Sequence, residues 1–212
     1  MLNECVFCRE LQGGRDTNFA RLYPELPSRV IAETESFIAF PCIGQLLDGH
    51  FLVIPRDHDC TFAQAHSRIL SAGSELTALL KSAHKVLGRR VSESLLFEHG
   101  AVSPSDGGCG IYHAHLHILP NAGHINGSSF IEGNSSFESP SLSQIYEGIH
   151  YEQSYALIGS AEHGFKSWNL TEPLPSQTLR RMVAAALEIG EWDWRQAGRE
   201  ESLLRALEGV NP

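Results

Sequence analysis

The chain has 212 residues, 42% apolar and 19% charged, enough to bury one sizeable core. With 16 Lys+Arg against 25 Asp+Glu, a formal charge of −9, it repels nucleic-acid backbone and anionic membrane, which excludes a general nucleic-acid-coating protein. Against that ordinary background the 11 histidines stand out. No run reaches the roughly 18 to 20 apolar residues of a membrane span, and no secretory pattern opens the chain, so a cytoplasmic location is expected. Five cysteines (Cys5, Cys8, Cys42, Cys60, Cys109) are an odd set for a disulfide framework and point to metal or catalytic use.

In chain order, 30–40 and 50–55 read as two neighbouring antiparallel strands separated by the turn-prone segment 44–49. Residues 67–90 carry apolar side chains at the three-and-four spacing of one long amphipathic helix, ending at Gly88 beside Arg89 and Arg90. Strands are expected at 94–99 and 111–119, joined by a turn over 103–110. This is an α+β domain over 1–122, an antiparallel sheet of about five strands with a long helix. The Gly/Ser/Asn-rich segment 123–143 has no period and reads as a flexible loop, or as a lid, since it leaves the histidine-dense strand. An α/β extension over 144–212 is expected to pack on the first domain. It holds a hairpin at 154–158 and 164–168, a helix at 176–188 capped by Ser176, and a last helix at 200–207. In the 176–188 helix Leu179 and Val183 point inward and Arg180 and Arg181 lie on the flank.

Two constellations carry chemistry. In a strand over 111–119 the side-chain period of two puts His113, His115 and His117 on one face, about 7 Å apart at each step. Each ring has two nitrogens that need partners, so such a row suits an oxyanion or a metal better than it suits packing. The second is Cys5-Val6-Phe7-Cys8, a metal half-site, a redox pair or plain burial. Two more ligands would complete a zinc site. His58 and one histidine of the row are the candidates, and His50, Cys60 and His99 compete on spacing.

These residues resemble the histidine triad (HIT) superfamily, whose His-φ-His-φ-His-φ-φ signature matches His113 through Leu119. The Cys5–Cys8 motif resembles the N-terminal knuckle of zinc-containing bacterial members, and Gly49-His50 through Arg56-Asp57-His58 resembles their segment before the helix. The resemblance implies a structural zinc on Cys5, Cys8, His58 and His113, with His115 as nucleophile. His117 and the backbone near Gly107, Gly108 and Gly110 would then serve the phosphoryl oxygens, with His50 and Cys109 beside the substrate; His99, which replaces the family's usual asparagine before glycine, could contact phosphate or be structural. It implies a nucleotide or nucleotide-conjugate substrate and a homodimer. The chain departs from the family at Cys42, where many members hold ribose with aspartate. It departs again at Gly108-Cys109-Gly110, closer to the nucleotidyltransferase branch than to the Gly-Gln-Ser of the hydrolases, although His117 stands where that branch has glutamine.

The expected function is hydrolysis of a phosphoester, phosphoramidate or phosphoanhydride bond of a nucleotide through a covalent nucleotidyl-histidine at His115. A nucleotidyltransferase or phosphorylase using the same intermediate is the alternative; a third reading is a non-catalytic nucleotide-binding scaffold. In the extension, Gln177, Arg180 and Arg181 could reach an anionic ligand and Trp192, Asp193 and Trp194 could form a stacking wall. The commoner use of such residues is a solvated helix face and packed indoles.

Overall fold

The computed structural model describes residues 5–107, 110–132, 135–196 and 199–208. Eight strands form one sheet: β1 (Ala32–Glu33), β2 (Phe37–Pro41), β3 (Phe51–Pro55), β4 (Leu95–Gly100), β5 (Leu116–Leu119), β6 (Ser136–Ser139), β7 (Tyr155–Ser160) and β8 (Gly164–Asn169). Their spatial order is β1-β2-β3-β5-β4-β7-β8-β6, and each strand pairing is antiparallel. The helices are α1 (Val6–Leu11), α2 (Asn18–Leu22), α3 (Phe62–Arg68), α4 (Ala72–Val86), α5 (Leu142–Gly148), α6 (Thr178–Ala186) and α7 (Glu200–Glu208). None of them is long and apolar enough to cross a membrane.

The α+β class and the antiparallel sheet are as expected, but the sheet has eight strands where about five were anticipated. The extension does not merely pack on the first half: β7 pairs with β4 from Leu95↔Ser160 to Gly100↔Tyr155 and continues the sheet. Within 123–143, read from sequence as a flexible loop, Ser136–Ser139 forms edge strand β6 against β8. Its one apolar residue, Phe137, is exposed and its one buried residue is Ser139, so no apolar alternation marks this edge strand.

The long helix expected over 67–90 is the shorter α4, and a separate helix that the sequence reading did not mark, α3, precedes it. Thr61 caps α3 by accepting the Gln64 N–H at 3.2 Å, and the chain leaves helical geometry at Ile69 before α4 begins at Ala72. Leu70, which fitted the apolar period, sits in that break and is fully exposed. The turn lets α4 pack on β2 while α3 packs on α5.

The two faces of the sheet have separate cores. Phe51, Val53, Leu96, Leu116 and Ile118 pack with α4 residues such as Leu76 and Leu79. On the other face Leu95, Phe97, Ala156, Ile158 and Trp168 pack with Leu179 and Val183 of α6. A third group, Ile38, Phe40, Leu52 and Ile54, is covered by Phe7 of α1.

One buried carboxylate ties the helical layer to the sheet. Glu98, 1% exposed on β4, accepts the Tyr155 hydroxyl at 2.6 Å, the Tyr146 hydroxyl at 2.8 Å and the Phe62 N–H at 2.9 Å. Burial pushes its carboxyl upward against the pull of those donors. Glu98→Ala strands three buried donors and is expected to destabilise by about 3 kcal/mol or more, with Glu98→Gln costing less. Urea unfolding of the two variants measures this, and a loss under about 1 kcal/mol for Glu98→Ala would refute the role.

Candidate functional site

The histidine row begins before its strand. Only Leu116–Leu119 pair as β5, with His117 between Leu52 and Phe97. Residues 113–115 are held instead by the loop after β3: the Ala114 N–H donates to the Asp59 carbonyl at 2.7 Å, and His113 Nε2–H donates to the Pro55 carbonyl at 2.8 Å. The alternation survives this bend, and the His115 and His117 rings meet edge to face at 5.3 Å.

His113 is buried at a four-residue cluster. With Nε2–H given to Pro55, its Nδ1 keeps the lone pair and lies 3.4 Å from Cys5 Sγ and 3.5 Å from Cys8 Sγ. His58 Nδ1 lies 3.4 Å from Cys8 Sγ. The ligand atoms of Cys5, Cys8, His58 and His113 all fall within 4.8 Å of one another. Sulfur and nitrogen about 2.3 and 2.05 Å from a tetrahedral ion stand about 3.5 Å apart, so the observed separations are tetrahedral edges. Without an ion, burial and the neighbouring Cys5 thiol push Cys8 up to about 12, and burial brings His113 down to about 4. Two crowded thiols and two crowded imidazoles on a helix start and two loops are what a cation would reconcile, so this set could hold a metal ion. Of the sequence competitors, Cys60 and His99 line the adjacent cleft, and His50 groups with Cys42 and His117.

The cleft beside this cluster is lined by His99, His115 and His117, by Val6 and Phe7 of α1, and by Gln177, Arg180 and Trp194 from the extension. Carbonyls and amides set the ring tautomers. The His113 carbonyl accepts from His115 Nδ1–H at 2.8 Å, which leaves the neutral ring's lone pair on Nε2. The Leu46 N–H donates to His50 Nδ1 at 3.2 Å, so His50 Nε2 carries the hydrogen and donates to His117 Nδ1 at 2.9 Å. His117 therefore keeps its own hydrogen on Nε2. Its ring lies parallel to Phe97 at 4.4 Å, which fixes the plane.

Burial, first of all, and then neighbouring positive charge hold His50 and His117 well below the ordinary imidazole value; burial brings His99 to about 4. These rings stay neutral at pH 7, so none of them sets an imidazolium beside His115.

His50 is fully buried behind His117 rather than at the cleft surface, while His99 lines the cleft and its Nε2 is buried without a partner among the described residues. Gly110 adopts φ +85°, a conformation open to glycine. Gly108 and Cys109 lie outside the described residues. Two groups escaped the sequence reading, and a third lies elsewhere than expected. Arg29, 2% exposed, grips Glu10 with bonds of 2.6 and 2.9 Å and lies 4.1 Å over the Phe40 ring at the cleft wall. Arg180, read from sequence as a flank residue either solvated or reaching an anionic ligand, is 4% exposed and turned inward. His84, to which no structural role was assigned, is a core residue bonded to the Leu80 carbonyl and Ser94 Oγ.

Residues 23–124 match the HIT domain family. Over 118 residues the chain is 30% identical to an uncharacterized HIT-like protein of Mycoplasma genitalium, covering 56% of this chain and 73% of that one. The chain belongs to the HIT family. It is also 27% identical over 118 residues to the adenylylsulfatase HINT3 of Arabidopsis thaliana, 56% of this chain and 52% of that one. A third relative is the adenosine 5′-monophosphoramidase hnt1 of Schizosaccharomyces pombe, 27% identical over 116 residues, 55% of this chain and 73% of that one. The HIT match ends before β6, so the cleft wall built by Gln177, Arg180 and Trp194 lies outside it.

The neutral rings have a thermodynamic consequence. A histidine whose folded value is depressed binds its proton in the unfolded chain first, so its stabilisation is complete above about 6.5 and is lost as pH falls toward the folded value. Unfolding free energy should therefore drop between about pH 6.5 and 4. His99→Gln should flatten part of that slope, as urea titrations at a series of pH values would measure. A slope unchanged by the substitution counts against a buried neutral His99.

Proposed function

We propose that this HIT protein is a nucleotide phosphohydrolase working through a covalent nucleotidyl-histidine at His115. The observation that carries the proposal is the pair of tautomers: a lone pair held on His115 Nε2 beside a hydrogen held on His117 Nε2, in one cleft. Relatives named as adenylylsulfatase and adenosine 5′-monophosphoramidase support the substrate class, an adenylyl group joined to sulfate or nitrogen.

In the first step the Nε2 lone pair forms an N–P bond as the bond from phosphorus to the leaving group breaks. The leaving group departs with that electron pair and takes up a proton. The His115 ring becomes cationic, and the His113 carbonyl on its Nδ1–H steadies that charge. His117 Nε2–H donates to a phosphoryl oxygen, its orientation set by His50 and Phe97. In the second step water attacks phosphorus, the N–P electrons return to Nε2, and water gives up a proton. The sum is one water consumed, one acid and one protonated leaving group released.

Cys5, Cys8, His58 and His113 would hold zinc with all four positions filled, a structural ion that fixes α1 to the catalytic strand. In this reading residues 1–122 carry the chemistry and residues 144–212 supply one wall of the cleft.

Mass spectrometry of protein quenched with adenosine 5′-phosphoramidate or adenylyl sulfate should find a nucleotidyl adduct on His115, and His115→Ala should lose at least a thousandfold in turnover. Full turnover in His115→Ala would overturn the proposal and leave a binding scaffold as the better reading. Product analysis with and without inorganic phosphate identifies the acceptor as water or phosphate. Metal analysis should find one zinc per chain, and chelation should lower the melting temperature with Cys8→Ser removing the zinc. A substoichiometric metal content in freshly purified protein would refute that part.

A further inference from the structure

Two guanidinium groups are buried at the cleft, and they differ in one respect. Arg29 is neutralised by a bidentate Glu10. Arg180 donates to the Trp192 and Gly44 carbonyls and lies 4.0 Å from Cys42 Sγ, and no carboxylate is within ion-pair distance of it among the described residues. A guanidinium at 4% exposure without a counter-charge is expensive unless something negative joins it. Carbonyls satisfy its hydrogen bonds but leave its charge.

The surroundings share that incompleteness. Among the described residues Trp194 Nε1 and His99 Nε2 are buried without partners, and both residues line the cleft with Arg180, His115 and His117. The donor atoms of Cys42, His50 and His117 lie within 4.8 Å of one another, yet a cation there would sit against the guanidinium and displace the His50 to His117 hydrogen bond. The local field favours an anion. Arg180 is also held in place. Gln177, buried at the start of α6, donates to Asp193 Oδ1 at 3.0 Å and accepts the Trp194 N–H at 3.3 Å, so helix and loop present Arg180 and Trp194 together. Gly44 admits the loop: a Cβ there would stand 2.6 Å from Trp194 Cα.

We propose that Arg180 recognises a second acidic group on the nucleotide, so that the cleft prefers a nucleotide carrying a further phosphate or sulfate to a simple monophosphate. This rests on the nucleotide reading of the cleft and narrows its substrate class. The second group is either part of the leaving group or attached to the ribose.

Titration calorimetry of the full chain with AMP, ADP and adenosine 3′,5′-bisphosphate, and with the guanosine series in parallel, separates these. The wild-type protein should bind either ADP or the 3′,5′-bisphosphate about tenfold or more tighter than the monophosphate, the gain expected of a charge-assisted pair. ADP as the tighter ligand places the acidic group on the leaving side; the 3′,5′-bisphosphate places it on the ribose. In Arg180→Gln the gain should shrink to within twofold while monophosphate binding changes little. A monophosphate that binds with no gain from either second phosphate overturns the proposal, and so does a gain that survives in Arg180→Gln. A lowered melting temperature with the gain intact makes Arg180 a clamp for the loop and nothing more. If Arg180→Gln does not fold, Arg180→Lys decides, since a point charge cannot serve two carbonyls and a phosphate: a severalfold smaller gain supports the proposal, an unchanged one refutes it. Nucleotide binding without a His115 adduct would overturn the hydrolase reading alone, so the two failures are distinguishable.

Discussion

The site depends on the bonds of one imidazole. His113 gives Nε2–H to the Pro55 carbonyl, turns Nδ1 toward Cys5 and Cys8, and through its own carbonyl fixes the His115 tautomer. The end of β3, the N-terminal helix and the neighbouring histidine are thereby referred to a single ring. That is why residues 113–115 leave the sheet: a regular strand would point the His113 carbonyl at a neighbouring strand, where a backbone N–H would take it. Bending the chain frees that carbonyl for His115, and the Ala114 N–H finds the Asp59 carbonyl instead.

A second constraint acts from behind. His50 is fully buried, and its two nitrogens have two different neighbours, a backbone N–H and another ring. In a neutral ring one nitrogen must donate and the other accept, so the Leu46 amide at one end determines where the hydrogen sits on His117 at the other. Burial keeps both rings neutral, so the relay does not scramble near neutral pH. An acidic protein of charge −9 thus lines one cleft with two buried guanidinium groups, Arg29, which Glu10 neutralises, and Arg180.

Features with a local period were legible in the sequence. The alternating histidines and the Cys5 and Cys8 pair follow from spacings of two or three residues, and the strands around Phe37–Pro41 and Phe51–Pro55 from continuous apolar runs on either side of a turn. Determinants that are bonds between distant segments were not. Glu98 looks like any strand carboxylate until Tyr146 and Tyr155 converge on it from 48 and 57 residues away. Strand β6 buries no apolar residue to betray it, and the break at Ile69 is invisible to a periodicity that counts Leu70 as apolar wherever it points. Arg180 was assigned to a flank because charged residues usually lie there. What reverses the assignment is the pair of carbonyls, at Gly44 and Trp192, that meet it inside.

The C-terminal segment illustrates how sheet continuity reaches the chemistry. Strand β7 pairs with β4 over six residues and so shares a rigid frame with the strand that carries Phe97 and His99. Trp168 on β8 and Leu179 and Val183 on α6 fill the core on that face, which sets the height of α6 above the sheet. With that height fixed, Arg180 can reach the Gly44 carbonyl, and Gly44 itself is the only residue type that lets the Trp194 backbone come as close as it does. Lengthening the side chain at 44 or loosening the β4 to β7 pairing would move the same cleft wall by different routes. The HIT match covers the triad but not this wall, so part of the surface facing the triad comes from residues beyond the match.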